Sequence, residues 1–98
     1  MYMTQPDEKI VTLNLNSKKG VNILKSRYDT MRESILSALK TNEQVTLAEL
    51  NSLVEKDLGG KFDGKIGWYL MAVKLDLEAR KVIKKVPNQS PQRLTLVK

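Results

Sequence analysis

The segment from about Gly64 or Lys65 to Arg80 constrains the fold most, because its apolar side chains form two arcs around one helix. The first arc carries Ile66, Leu70, Val73 and Leu77, and the second carries Trp68, Ala72, Leu75 and Ala79. Two polar strips divide the arcs, one with Gly67, Lys74, Glu78 and Lys81 and the other with Tyr69, Asp76 and Arg80. A helix that is apolar on two sides needs a neighbour on each side. The pattern therefore predicts a central helix with two packed faces.

Two further helices are predicted before this one. The first carries an apolar face of Tyr28, Met31, Ile35 and Leu39. Ser26 and Asp29 resemble a capping pair at its start, although Asn22 could begin the helix a turn earlier. The second helix begins at a capping box, Thr46 with Glu49, and ends at Gly59-Gly60. Its buried stripe is predicted to be Leu50, Leu53, Val54 and Leu58.

Strands are predicted on both sides of the helices. Residues 10–15 alternate apolar Val11, Leu13 and Leu15 with polar residues, and 16–20 follow as a turn. After the third helix, 82–86 and 93–97 read as two strands joined by a turn at 87–91, which predicts a C-terminal hairpin. The N-terminal strand could pair with this hairpin, or through its edge with another chain.

Length and composition indicate one domain in an ordinary globular chain. The 98 residues are 41% hydrophobic and include no cysteine and no histidine. We expect a flexible tail over 1–9 and one domain over 10–98, in a soluble cytoplasmic protein without a signal segment or membrane span. Without thiolate or imidazole, most catalytic and metal-binding designs are excluded. We therefore expect no enzyme activity, no metal and no cofactor.

The net charge of +6 is unevenly distributed. Residues 1–58 carry equal numbers of basic and acidic side chains, so the whole basic excess lies between Gly59 and Lys98. A clustered excess of this kind can form a site for a polyanion, whereas scattered lysines only increase solubility. The two possibilities differ in whether the cations share one surface.

The order strand, three helices and hairpin is that of a winged helix-turn-helix, a mainly α fold with a small β part. Residues 77–83, Leu-Glu-Ala-Arg-Lys-Val-Ile, are similar to the passage in winged-helix regulators where the recognition helix ends and the wing begins. Lys81 stands where those patterns usually carry glycine. A residue with a side chain forced to positive φ costs on the order of 1 kcal/mol, so we expect strain at this turn or a shifted wing.

The chain also resembles a family of small uncharacterised bacterial winged-helix-like proteins, a domain of unknown function. The resemblance covers Asn14 to about Leu94. It depends on four blocks: Tyr28 with Met31-Arg32, Thr46 with Glu49, Gly67-Trp68-Tyr69, and above all the continuous run Val73-Lys74-Leu75-Asp76-Leu77-Glu78-Ala79. It implies a fold and no established activity.

The main functional hypothesis is a nucleic-acid-binding protein, such as a transcriptional regulator, that contacts duplex DNA through the third helix and the wing. The residues predicted to make these contacts are Lys61, Lys65, Tyr69, Lys74, Lys81, Lys84, Lys85 and Arg93. Alternatively the charges are ordinary solvated ones, with pairs such as Asp76 with Arg80 and Lys74 with Glu78. Trp68 could stack on bases but is predicted to belong to the core. A second hypothesis is a protein-interaction module or a homodimer that pairs through the N-terminal strand.

Overall fold

The computed structural model describes residues 8–14 and 18–97, which form a mixed α+β fold. These residues contain three helices and two small antiparallel sheets. The three predicted helices and the predicted C-terminal hairpin are present. The elements in chain order are β1 (Lys9–Leu13), β2 (Lys19–Leu24), α1 (Lys25–Thr41), β3 (Val45–Thr46), α2 (Leu47–Leu58), α3 (Ile66–Ala79), β4 (Ile83–Lys85) and β5 (Arg93–Leu96). The predicted tail and Leu15 lie largely outside the described residues.

Helix α3 lies at the centre of the core, with α1, α2 and both sheets packed around it. Its first apolar arc faces these neighbours, and Leu70, Val73 and Leu77 are fully buried, as predicted. The second arc has no comparable cover. Trp68 is 50% exposed, so its predicted place in the core is wrong. The core contacts of α3 are therefore made mainly by its first arc, within the described residues.

The predicted buried faces of α1 and α2 are confirmed. Each of the four predicted core residues of α1 is buried, and Leu50, Val54 and Leu58 of α2 are buried with Leu53 packed against them. The alternative start of α1 at Asn22 is wrong, because this residue pairs with Val11 in a sheet. The Ser26 cap is also absent, since α1 follows β2 directly and Asp29 forms an ion pair with Lys25 at 2.8 Å.

The predicted capping box of α2 is present with both of its hydrogen bonds. The Glu49 amide donates to Thr46 Oγ1 at 3.1 Å, and the Thr46 amide donates to Glu49 Oε1 at 2.9 Å. At the other end Gly60 has φ of 78°, a left-handed conformation that glycine adopts without steric cost. Both ends of α2 are therefore determined by local residues.

The N-terminal strand forms a hairpin of its own. β1 pairs with β2, so the proposed pairing of β1 with the C-terminal hairpin is wrong. The predicted turn over 16–20 is too long, because its last two residues, Lys19 and Gly20, belong to β2. The predicted inward face is also wrong, because Val11 is exposed and Thr12 is buried. Thr12 Oγ1 bonds to the amide and the carbonyl of Val21, at 3.0 and 3.2 Å, where the strand register is irregular.

The C-terminal hairpin is confirmed and belongs to a three-stranded sheet. β5 lies between β4 and β3, with Ile83 opposite Leu96 and Val45 opposite Leu94. Strand β3 was not predicted, since two residues carry no periodic signal. Lys81 has φ of 63°, so the strain expected at this turn is present and the hairpin follows α3 directly.

The carboxylate of Asp76 joins three parts of the fold. Asp76 was predicted on a polar surface strip, yet it is completely buried, which corrects that prediction. It accepts hydrogen bonds from the Leu13 amide at 2.8 Å, from the Tyr28 hydroxyl, and from Arg80 Nε at 3.0 Å. The predicted pair with Arg80 is thus confirmed. Burial raises the pKa of Tyr28 to about 12, and the hydrogen bond to Asp76 adds to this shift.

Replacing Asp76 tests whether this carboxylate holds the hairpin β1–β2 on the helices. We expect Asp76→Ala to lower the free energy of unfolding by about 2–4 kcal/mol, because buried donors lose their acceptor. Tyr28→Phe removes one donor and should cost about 1 kcal/mol. Urea unfolding followed by circular dichroism measures both. Asp63→Ala, at an exposed carboxylate, is the control, and an equal loss in this variant would contradict the assignment.

Candidate interaction surface

The outward side of α3 is an apolar strip, which we call the α3 strip and define as Trp68, Met71, Ala72, Leu75 and Ala79. Trp68 is 50% exposed and Met71 is 41% exposed, and the other three members are half-buried. Their spacing of three and four residues places them along one side of the helix. Large apolar side chains grouped on a surface are typical of binding sites, whereas single exposed ones are ordinary.

An aromatic cluster orients Trp68 at the N-terminal end of the strip. Its ring meets Tyr69 edge to face with centroids 4.9 Å apart, and Tyr69 meets Phe62 in the same way at 5.2 Å. Arg27 donates to the Tyr69 hydroxyl at 2.9 Å and to Asp63 at 2.7 Å. Tyr69, one of the residues predicted to contact nucleic acid, is therefore half-buried and engaged within the chain.

Gly67 lies beside Trp68 in the first turn of α3 and is exposed. A Cβ atom added to Gly67 would meet no atom within 4 Å, and its backbone is helical. Glycine lowers helix stability relative to alanine, so nothing within the described chain favours it here. Its absent side chain leaves the helix backbone open to close approach by another molecule. The sequence contained this signal, but the interpretation of Gly67 as part of a polar strip missed it.

Lys74 does not lie on an exposed strip as predicted. It is buried, and its Nζ lies 2.6 Å from Glu78 Oε1, a close ion pair without the alignment of a hydrogen bond. Lys85 Nζ lies 3.8 Å from the other oxygen of Glu78. The predicted pair of Lys74 with Glu78 is confirmed, and both side chains face the protein. Between Lys65 and Arg80, α3 therefore carries no exposed cation.

The remaining predicted cations are divided between the two ends of α3. Lys61 and Lys65 are exposed before its first turn, and Lys81, Lys84 and Lys85 are exposed beyond its last turn, where they line one groove. A helix of 14 residues is about 21 Å long, which separates the two groups. Arg93 is half-buried, with Nη1 3.7 Å from Glu49 Oε1. The structure brings three of the eight predicted residues together.

Residues 8–14 and 18–97 contain no group of three or more carboxylate, imidazole or thiolate side chains that could hold a metal ion. None of their helices is long and apolar enough to cross a membrane.

Substitution of Gly67 tests whether the fold itself requires this glycine. We expect Gly67→Ala to raise the free energy of unfolding by about 0.5–1 kcal/mol, because alanine favours the helix and its methyl group meets open space. Urea unfolding measures the change. A loss of stability would mean that glycine is needed for the packing of the chain itself.

No curated protein and no solved structure shows significant similarity to the chain. A family model does match, over residues 9–94, which is most of the chain. The resemblance to a family without assigned activity is thereby confirmed, while its winged-helix and bacterial character stays a prediction. The chain belongs to the Family of unknown function (DUF6958).

Proposed function

We propose that this protein is a protein-interaction module that binds a partner through the α3 strip. The observation that carries the proposal is the exposure of Trp68 and Met71 side by side on the central helix. Tryptophan and methionine are enriched where proteins bind one another, and tryptophan often dominates the binding energy. The neighbouring Gly67 lets a partner come close to the backbone of the helix.

The chemistry of α3 favours a protein over a nucleic acid at this surface. Base edges in the major groove are read by arginine, lysine, asparagine or glutamine. The outward side of α3 carries Trp68, Met71 and Leu75, and its only lysine, Lys74, is buried. Apart from the indole N–H of Trp68, this strip has no donor for a base or a phosphate, and it has no cation, whereas it matches an apolar protein surface.

The element order supports a winged-helix arrangement as part of this proposal. The helices α1, α2 and α3 come before the hairpin β4–β5, and β3 between the first two helices pairs with β5. In such an arrangement α3 is the recognition helix and the hairpin is the wing. The α3 strip is then the surface that a winged-helix protein presents to its target.

Matched substitutions at two exposed apolar residues test the binding surface. Met71→Glu places a charge in the α3 strip, and Leu47→Glu places one at the start of α2, where the side chain is 39% exposed. A partner captured from lysate of the native cells is purified and titrated against each variant, with isothermal titration calorimetry as readout. We expect Met71→Glu to weaken binding at least about tenfold, because it buries an unpaired charge.

The control variant decides the outcome. Leu47→Glu should change the affinity less than about twofold, since it lies outside the interface. If Met71→Glu binds the partner as tightly as the wild-type protein does, the α3 strip is not the binding surface.

Nucleic-acid binding is a second candidate, favoured by one observation. Lys81, Lys84 and Lys85 line a common groove at the hairpin, and the first two make no ion pair within the described residues. Such a group can neutralise phosphates without reading sequence. This contact would place duplex DNA on the wing, with Arg93 on the neighbouring strand and Lys61 and Lys65 at the far end of α3.

A titration of fluorescent duplex DNA at two salt concentrations tests this candidate. Binding by the hairpin lysines predicts a fall in log affinity with log salt of slope about −2 to −3, since each phosphate contact contributes about −0.9. Lys81→Glu with Lys84→Glu should abolish binding, and Lys56→Glu on α2 should leave it nearly unchanged. No detectable binding at low salt would exclude this candidate.

A further inference from the structure

We infer that the partner of the α3 strip is an acidic amphipathic helix of a different protein, an inference that rests on the proposed function. Three observations lead to it: the shape of the strip, the charge at its two ends, and the consequence of that charge for self-association.

The strip has the dimensions of a helix-binding ridge. From Trp68 to Ala79 it is about 16 Å long, which corresponds to three turns of a partner helix. The anchors of such a helix recur every three or four residues, as do the members of the strip. Helices pack with axes about 8–10 Å apart, and the shorter distances require small residues at the crossing. Ala72 and Ala79 provide such residues within the strip, and Gly67 leaves the backbone open beside its first turn.

Unpaired lysines stand at both ends of the strip. Lys65 precedes Trp68 by three residues and lies beside it, and Lys81 and Lys84 are exposed beyond the last turn. Within the described residues these three lysines make no ion pair. Two acidic groups close to them in the sequence are already engaged, Glu78 with Lys74 and Lys85, and Asp63 with Arg27. A partner with carboxylates near both ends of its apolar stripe complements this arrangement.

The same lysines oppose the pairing of two copies through the strip. Lys65 and Lys81 lie at equal distances along the chain from Val73, near the middle of the strip. An antiparallel two-fold pair centred on the strip would place Lys65 of one copy beside Lys81 of the other. A parallel pair would place each lysine beside its own counterpart. Like charges meet in both arrangements, and each copy carries a net charge of +6, so the geometry favours a partner of opposite charge.

Two synthetic peptides that differ only in charge provide the probe. Both are amphipathic helices of about 18 residues, or five turns, with leucines at the anchor spacing. One carries glutamates at both ends of the apolar stripe and the other carries lysines there. Fluorescence of Trp68 reports binding, because this residue lies within the strip and is the only tryptophan. At low ionic strength we expect the glutamate peptide to bind at least about tenfold more tightly than the lysine peptide, and less tightly as salt rises.

Charge reversal on the protein completes the test. In Lys65→Glu with Lys84→Glu the preference should invert, so that the lysine peptide binds more tightly. The control variant, Lys40→Glu with Lys56→Glu, has the same net charge away from the strip and should keep the preference of the wild type. Circular dichroism of each variant establishes that it is folded. This comparison separates charges at the ends of the strip from the overall charge of the protein.

Three results would overturn the inference. They are equal affinity for the two peptides, no change in Trp68 fluorescence with either peptide, and a wild-type dimer in light scattering that Met71→Glu converts to a monomer. The proposed function would survive all three, since it fails only when Met71→Glu leaves the captured partner bound. The two ideas are therefore refuted by different measurements.

Discussion

The buried carboxylate of Asp76 is the contact on which the rest of this fold depends. It lies on α3, and its hydrogen-bond donors come from β1, from α1 and from Arg80 at the C-terminal cap of α3. A charged group removed from water is tolerated only when it is paired and hydrogen-bonded, so these donors must remain in place together. The N-terminal hairpin is thereby held against the inner side of the central helix. Because Asp76 binds β1 and α1, the side of α3 that carries it faces the core, and the α3 strip faces outward.

The outward side of α3 differs from the surface that a nucleic-acid-reading helix needs. Lys74 and Glu78 both face the protein, where the carboxylate of Glu78 compensates the charge of Lys74 and also lies 3.8 Å from Lys85 Nζ. Trp68 and Met71 are left facing solvent. The basic excess of the C-terminal half is then confined to the two ends of the helix. This division of charge and apolar surface is what makes a protein partner the better proposal.

Sequence patterns predicted the parts of the fold that local residues determine. The capping box of Thr46 and Glu49, the face of α1 and the C-terminal hairpin each depend on residues close together in the chain. The N-terminal hairpin was missed because its second strand, β2, leads directly into α1, so that Asn22 was interpreted as a possible start of that helix. Val11 and Thr12 were assigned to opposite faces from those observed, since the Thr12 hydroxyl bonds to the backbone of Val21 and makes its burial favourable.

The exposure of the α3 strip could not be predicted from the sequence. Periodicity determined that α3 has two apolar arcs and, to within one or two residues, where it begins and ends. The strain at Lys81 was expected from the resemblance to winged-helix regulators, which usually carry glycine there. Periodicity could not decide how many neighbours the helix has, because that depends on elements distant in sequence. Only the tertiary structure decided that one arc is covered and the other is open at Trp68. It also decided that Asp76 and Lys74 are buried, since a charged side chain can be buried only where partners from other elements, or from the next helical turn, compensate it.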